Sequence, residues 1–266
     1  MFAEDILENG VALVTGAGRG IGKEIALTCA DLGADVAVND LYEEPAADTV
    51  DAIEERGQNA VAVPGDVSDP NVVEAMFDAA ADELGTVHHV VNNAGANSDA
   101  DLVDISIEEW EKVVDINLNG TFLVAREGAR RLRAAGEPGS MVNIASIAGT
   151  MPQPGAGAYT PTKGAIIKLT QQMALEWAMD DIRVNALCPG LIWTPATDSV
   201  YSDDELLERR KEWVPIQRIG APDDVARAVM YLLAPENKYT TGESLYVDGG
   251  AQCVGLNLIP GRAQHE

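Results

Sequence analysis

The chain has 266 residues, 46% of them hydrophobic, which suffices for a substantial core in one α/β domain. Its 43 acidic residues against 18 basic ones give a formal charge of −25, which argues against nucleic acid or an anionic membrane as partner, since both attract basic patches. Cys29, Cys188 and Cys253 show no metal-ligand or CxxC spacing and His88, His89 and His265 form no HExxH pattern, so no metal is expected and the thiols read as buried or incidental.

The opening MFAEDILENG has neither a basic segment nor a continuous apolar one, and no uninterrupted apolar run reaches membrane-spanning length; a cytoplasmic protein is expected. No repeat or linker-like shift divides the chain. Short β-branched runs alternate with segments of helical period. In order they predict strand 11–15, helix 21–32, strand 36–39, helix 45–56, strand 60–63, helix 71–84, strand 88–92, helix 107–135, strand 141–146, helix 161–179, strand 182–187, helix 222–233 and strand 244–247. Strands that are apolar on both faces and alternate with helices indicate a doubly wound parallel sheet, which binds ligands at the carboxyl ends of its strands.

The first strand runs into Thr15-Gly16-Ala17-Gly18-Arg19-Gly20-Ile21-Gly22, which opens the first helix. The spacing is G-x-x-x-G-x-G rather than a strict G-x-G-x-x-G, but the physical requirement is similar. Residues without Cβ allow a tight turn and let backbone approach a pyrophosphate at the positive end of the helix dipole. A plain strand-to-helix turn is the competing reading. Asp40, at the end of the second strand, is placed to accept hydrogen bonds from adenosine ribose hydroxyls and would repel a 2′-phosphate; the competing reading is a solvated strand-end aspartate. Arg19 pulls the other way, because its guanidinium could meet a 2′-phosphate. The carboxylate is weighted more heavily, giving NAD over NADP.

Tyr159 and Lys163 are four apart, on one face of a helix whose first turn can hold Pro161. A phenol with an ordinary pKa of about 10 needs a nearby cation to work as an acid-base group at neutral pH. Lys163 could be that cation; an ordinary helix face is the alternative. The pair follows Asn143-Ile144-Ala145-Ser146, with Ser146 thirteen residues before Tyr159.

Together with the glycine loop, Asn92-Asn93-Ala94-Gly95 after the fourth strand, Asn117 in a long helix and Pro189-Gly190 after the sixth, this order of motifs resembles the short-chain dehydrogenase/reductase family over residues 8–250. The resemblance implies a Rossmann-type doubly wound parallel sheet of about seven strands, with residues 1–250 as one dinucleotide-binding and catalytic domain, a lid near 195–215 and a tail at 251–266. It implies that Tyr159 is the general acid-base group, that Lys163 lowers its pKa and binds the nicotinamide ribose, that Ser146 orients the substrate oxygen, and that Asn117 holds a water leading from Lys163 to solvent. Asp66 and Val67 would meet the adenine, with a helix-capping aspartate as the plain alternative for Asp66. Asn93, Ala94 and Gly95 would pack beside the cofactor, and Ile192 and Thr194, past Pro189 and Gly190, would bind the carboxamide.

Substrate-facing loops in this family would here be 96–98, 147–153 and the stretch from Trp193 through a helical lid at 202–213. Gln153 and Asn97 could bond a polyol and Trp193 could stack on a sugar or line an apolar pocket, while Trp213 and Val214 read as packing anchors. The expected function is an NAD-dependent interconversion of a secondary alcohol (sugar, polyol or cyclic alcohol) with its carbonyl, in a homotetramer. The alternatives are a 3-oxoacyl-thioester reductase and a non-catalytic dinucleotide sensor; an intact Ser146, Tyr159 and Lys163 set speaks against the sensor. The acidic excess suggests a salt-rich host, against the alternative of ordinary solvated charge.

Overall fold

The computed structural model of the chain describes residues 5–258, so His265 and the last part of the expected tail, 259–266, lie outside the described residues. Seven strands form one parallel sheet in the order β3-β2-β1-β4-β5-β6-β7. They are β1 (Val11–Val14), β2 (Asp35–Val38), β3 (Ala60–Ala62), β4 (Val87–Asn92), β5 (Gly139–Ile144), β6 (Ile182–Pro189) and β7 (Ser244–Val247). Helices α1 (Gly20–Asp31), α2 (Glu43–Glu54), α3 (Pro70–Leu84), α4 (Ile107–Val114), α5 (Thr121–Ala135), α6 (Tyr159–Trp177), α7 (Asp198–Tyr201), α8 (Asp204–Trp213) and α9 (Pro222–Leu233) complete it.

The strands alternate their side chains between two apolar layers. Ala12 and Val14 of β1 face a core shared with Ile25 and Ala26 of α1 and Val229 and Met230 of α9. Val11 and Leu13 face the opposite core, with Phe77 of α3, Leu132 of α5 and Met173 of α6. Burial on both faces is why these short runs carry no polar alternation.

Where the elements differ from the sequence reading, capping and packing explain it. Asp69, not Asp66, caps α3 by accepting from the Asn71 amide. β5 ends at Ile144, so Ser146 stands beyond the strand and its hydroxyl instead accepts from the Ala148 amide at 3.1 Å, opening a short 3₁₀ turn, Ile147–Gly149. The expected helix 107–135 is broken by a π-helical stretch, Asp115–Gly120, that contains Asn117; such one-turn expansions tend to mark functional sites. Helix α6 starts at Tyr159, with Pro161 in its first turn. No helix among the described residues is long and apolar enough to cross a membrane.

At the amino ends of the strands, buried His89 contributes pH-dependent stability. The Ser140 hydroxyl donates to the Leu233 carbonyl at 3.0 Å, so it accepts from Nδ1 of His89 at 2.8 Å, which fixes a neutral tautomer. Burial, reinforced by the neighbouring His88 and Arg183 charges, pushes the His89 pKa down to about 3. As pH falls below the unfolded value of about 6.5 the unfolded chain takes up a proton that the folded one refuses, and stability is lost. From pH 7 to 5 this should remove about 2 kcal/mol. His89→Asn, which keeps a donor for Ser140, should therefore close its stability gap to the unmodified protein by about that amount over the same pH range in urea melts. An unchanged gap at pH 7 and 5 would exclude a neutral His89.

Candidate active site

The carboxyl ends of β1, β4, β5 and β6 lie side by side along one edge of the sheet, and the glycine loop follows the first of them. Gly16 and Gly20 have φ of 61° and 59°, in the left-handed region that favours glycine. A Cβ on Gly22 would lie 2.2 Å from the Gly16 carbonyl oxygen, so α1 can start this close to β1 only without a side chain there. Arg19 precedes α1 without a side-chain cap, and the first amides of the helix, including those of Ile21 and Gly22, have no intrahelical acceptor. Asp40 accepts from the Gly18 amide at 3.0 Å, which sets its carboxylate at the loop. Thr194 crosses the front, its Cβ 3.6 Å from where a Gly20 Cβ would be. Bare amides, missing Cβ atoms and an adjacent carboxylate fit a dinucleotide whose phosphates meet the helix end and whose ribose meets Asp40.

Other expected cofactor residues hold this cradle together. Asn93 donates both side-chain amide hydrogens to the loop, to the carbonyls of Thr15 at 2.9 Å and Gly16 at 3.0 Å. The Thr15 hydroxyl accepts from the amides of Asn93 and Ala94. Asp66 is occupied by Ser68, whose amide and hydroxyl both donate to it, while Val67 is buried against Gly120. Gly190 passes so close to Asp248 that a Cβ would lie 2.7 Å from its Cα. Ile192 is buried, and Thr197 braces the turn by donating to its carbonyl and accepting from the Thr194 amide.

Lys163 is 4% exposed, and its Nζ donates to the Ile144 carbonyl at 2.8 Å and lies 5.6 Å from the centre of the Tyr159 ring. Gly149 packs on the backbone of Lys163, where a Cβ would meet the carbonyl at 2.8 Å, so the turn after Ser146 and the helix carrying Tyr159 and Lys163 are keyed together. Burial pushes Lys163 down to about 8. Burial also raises Tyr159, while the Ser146 hydroxyl beside it pulls partly the other way. Desolvation of the phenolate outweighs that hydrogen bond, and Cys188 nearby adds to the rise. Cys188, pushed up to about 11 by burial, stays a neutral thiol beside them.

Asn117 is fully buried, and both hydrogens of its side-chain amide are bonded. It accepts from the Ala96 amide at 2.7 Å and donates to the Ala96 carbonyl and the Thr162 hydroxyl. The side chain thus clamps the loop after β4 to α6. Gln153 is exposed. Trp193 is 41% exposed, donates to Asp198 and packs on Tyr201, 5.5 Å between ring centres, which ties it to the lid helices; Val214 is buried as an anchor.

Sequence reasoning missed the buried ladder in which Asn92 donates to Asn143 and Asn143 to Thr170, and missed the bond from Ser98 to Glu109 that pins the loop after β4. Asn92 and Asn143 were visible in their motifs, but only strand register sets them opposite each other.

A family model described as "Enoyl-(Acyl carrier protein) reductase" matches residues 16–252. The 3beta-hydroxysteroid dehydrogenase 1 of Eggerthella lenta is 38% identical over 258 residues, 97% of this chain and 97% of its own. The 3-oxoacyl-[acyl-carrier-protein] reductase FabG of Staphylococcus aureus is 37% identical over 240 residues, 90% of this chain and 96% of its own. A crystal structure of gluconate 5-dehydrogenase from Burkholderia cenocepacia, in complex with NADP and tartrate, superposes with a TM-score of 0.88 at 32% identity, covering 94% of this chain and 98% of that one. The chain belongs to the short-chain dehydrogenase/reductase family. It is an oxidoreductase of CH–OH groups that binds a dinucleotide and a small-molecule substrate.

The burial of Lys163 is itself open to test. Below pH 8 the lysine is charged in both folded and unfolded chains and the folded one carries the desolvation penalty, about 3 kcal/mol. Between pH 8 and the ordinary lysine value of 10.5 only the unfolded chain holds the proton, so stability rises with pH. Lys163→Met loses the bond to Ile144 but removes the buried charge, and should gain about 1 to 2 kcal/mol at pH 7. Urea melts should show that gain vanishing by pH 10. A variant equally destabilised at both pH values would mean that Lys163 is not penalised by burial.

Proposed function

We propose that this protein is an NAD-dependent dehydrogenase that interconverts a secondary alcohol of a sugar, polyol or cyclic compound with its carbonyl. The observation that carries the reading is the set of three groups at one cleft: the Ser146 hydroxyl beside the Tyr159 phenol, and the buried Lys163 ammonium over the same ring. In reduction Tyr159 delivers its proton to the carbonyl oxygen, and in oxidation it takes one from the alcohol. Ser146 orients that oxygen by hydrogen bonding, and Lys163 supplies the positive charge that makes a phenolate tolerable. A bound nicotinamide supplies or accepts the hydride. Asn117 acts by holding the loop after β4 against α6, so that the cleft keeps its shape.

The preference for NAD rests on Asp40. Its carboxylate stands at the glycine loop, where a 2′-phosphate would face like charge. The NADP in the gluconate 5-dehydrogenase complex points the other way for that relative. The thioester-reductase reading draws on the FabG relative, but a phosphate-bearing carrier would approach a chain of charge −25. Exposed Phe122 on α5 and Leu175 on α6 support the homotetramer, because large apolar side chains on helices are commonly covered by another subunit. The cytoplasmic location belongs to the same reading.

A coupled absorbance screen of NAD and NADP against gluconate, glucose, cyclohexanol, a 3β-hydroxysteroid and a 3-hydroxyacyl thioester tests the assignment. Turnover of the thioester alone would replace it with the reductase, and no turnover with the sensor. Tyr159→Phe should lower kcat by about 10² to 10⁴ while dinucleotide affinity changes little; retention of a tenth of the activity would remove the proton-transfer role.

Asp40→Ser should narrow or reverse the ratio of kcat/KM for NAD over NADP, with Arg19 then free to pair with the phosphate. Equal efficiency with both cofactors in the unmodified enzyme would defeat the NAD assignment. For the acidic surface, melting temperature and particle size by light scattering from 0.05 to 3 M KCl should both rise toward a stable tetramer as screening shortens. A flat or falling profile would leave the salt-rich host without support.

A further inference from the structure

The turn that follows β7 reaches back to the catalytic cleft. Asp248 accepts from the amides of Gly250 at 2.9 Å and Gln252 at 2.8 Å, while Gly249 and Gly250 take φ of 62° and 87°. This folds the chain sharply into the 3₁₀ segment Ala251–Leu258. On one side the turn meets Gly190. On the other, Nε2 of Gln252 donates to the Thr150 hydroxyl at 2.5 Å, across 102 residues of sequence. Thr150 in turn donates to the Ile147 carbonyl at 3.2 Å, in the turn whose first residue, Ser146, caps it by accepting from Ala148. A chain of hydrogen bonds thus runs from the end of the last strand to the residue beside the Tyr159 phenol.

Resting on the alcohol dehydrogenase reading above, we infer that Gln252 is a positioning residue of the active site: through Thr150 it fixes the loop after β5 and hence the reach of Ser146 to the substrate oxygen. The loop 150–154 is mostly exposed and has few other anchors in the described residues, so its rim position depends on this contact more than a buried loop's would. Gln252 hydrogen-bonds Asp248 and Thr150, neither an expected cofactor residue, so its effect should fall on the alcohol and not on the dinucleotide.

The test is a cycle of Gln252→Ala, Thr150→Val and the double variant, with Thr150→Ser as the conservative control that keeps both hydroxyl bonds. Gln252→Ala, which loses one hydrogen bond, should lower kcat/KM about 5-fold for whichever of gluconate, glucose, cyclohexanol or the 3β-hydroxysteroid is oxidised; Thr150→Val, which also loses the bond to Ile147, should lower it at least as much, and the double variant no further than Thr150→Val. KM for the dinucleotide should stay within about 2-fold, and Thr150→Ser should restore near-normal efficiency. Independently of turnover, the amides of Gly149, Thr150 and Met151, which donate to Ser146 and Ile147 carbonyls, should exchange hydrogen faster in Gln252→Ala. Multiplying losses in the double variant, or unchanged exchange of these amides, would overturn the proposal. If none of the alcohols is oxidised, the dehydrogenase reading falls, and the exchange rates alone then decide whether Gln252 holds the loop.

Discussion

A single ammonium group in the interior organises the site. Lys163 must be buried to lie over the Tyr159 ring, and a buried cation is tolerated only where fixed dipoles replace its water. The Ile144 carbonyl provides one such dipole directly. The remaining walls are brought in by residues that keep their own polar groups occupied: Asn117 bonded to Ala96 and Thr162, Gly149 packed without a side chain against the Lys163 backbone, Cys188 as a neutral thiol. The outcome is a lysine that burial pushes down to about 8.

The sheet supplies the other half of the site through its topology. Strand order reverses between β1 and β4, which leaves a crevice at their carboxyl ends because the connections leave in opposite directions. Such a crevice would be soft if only loops lined it. Here Asn93 and Thr15 lace the two strand ends together, and Asn39, with its side-chain amide on the carbonyls of Val63 and Gly65, does the same for β2 and β3. The polar residues in the strand ends thus hold the backbone of the glycine loop and its neighbours in place, as structural braces.

The sequence by itself determined the fold class, since seven apolar runs spaced by helical segments can bury both faces only as a parallel sheet under two helical layers. It also determined the glycine loop, Asp40 and the Ser146, Tyr159 and Lys163 set, because each depends on residue type at short spacing. Tertiary structure alone decided what those groups do to one another. The upward shift of the Tyr159 phenol comes from desolvation, which no spacing encodes. Asn117 sits in a π-helical turn whose Gly120 packs on Val67, and its amide hydrogens are taken up by the approach of Ala96 and Thr162. The Asn92, Asn143 and Thr170 ladder requires strand register, and the contact of Gln252 with Thr150 requires the whole sheet to close before residues 102 apart can meet. Local patterns fix backbone conformation and chemistry; long-range contacts fix distance and dielectric, and these set the reactivity of the site.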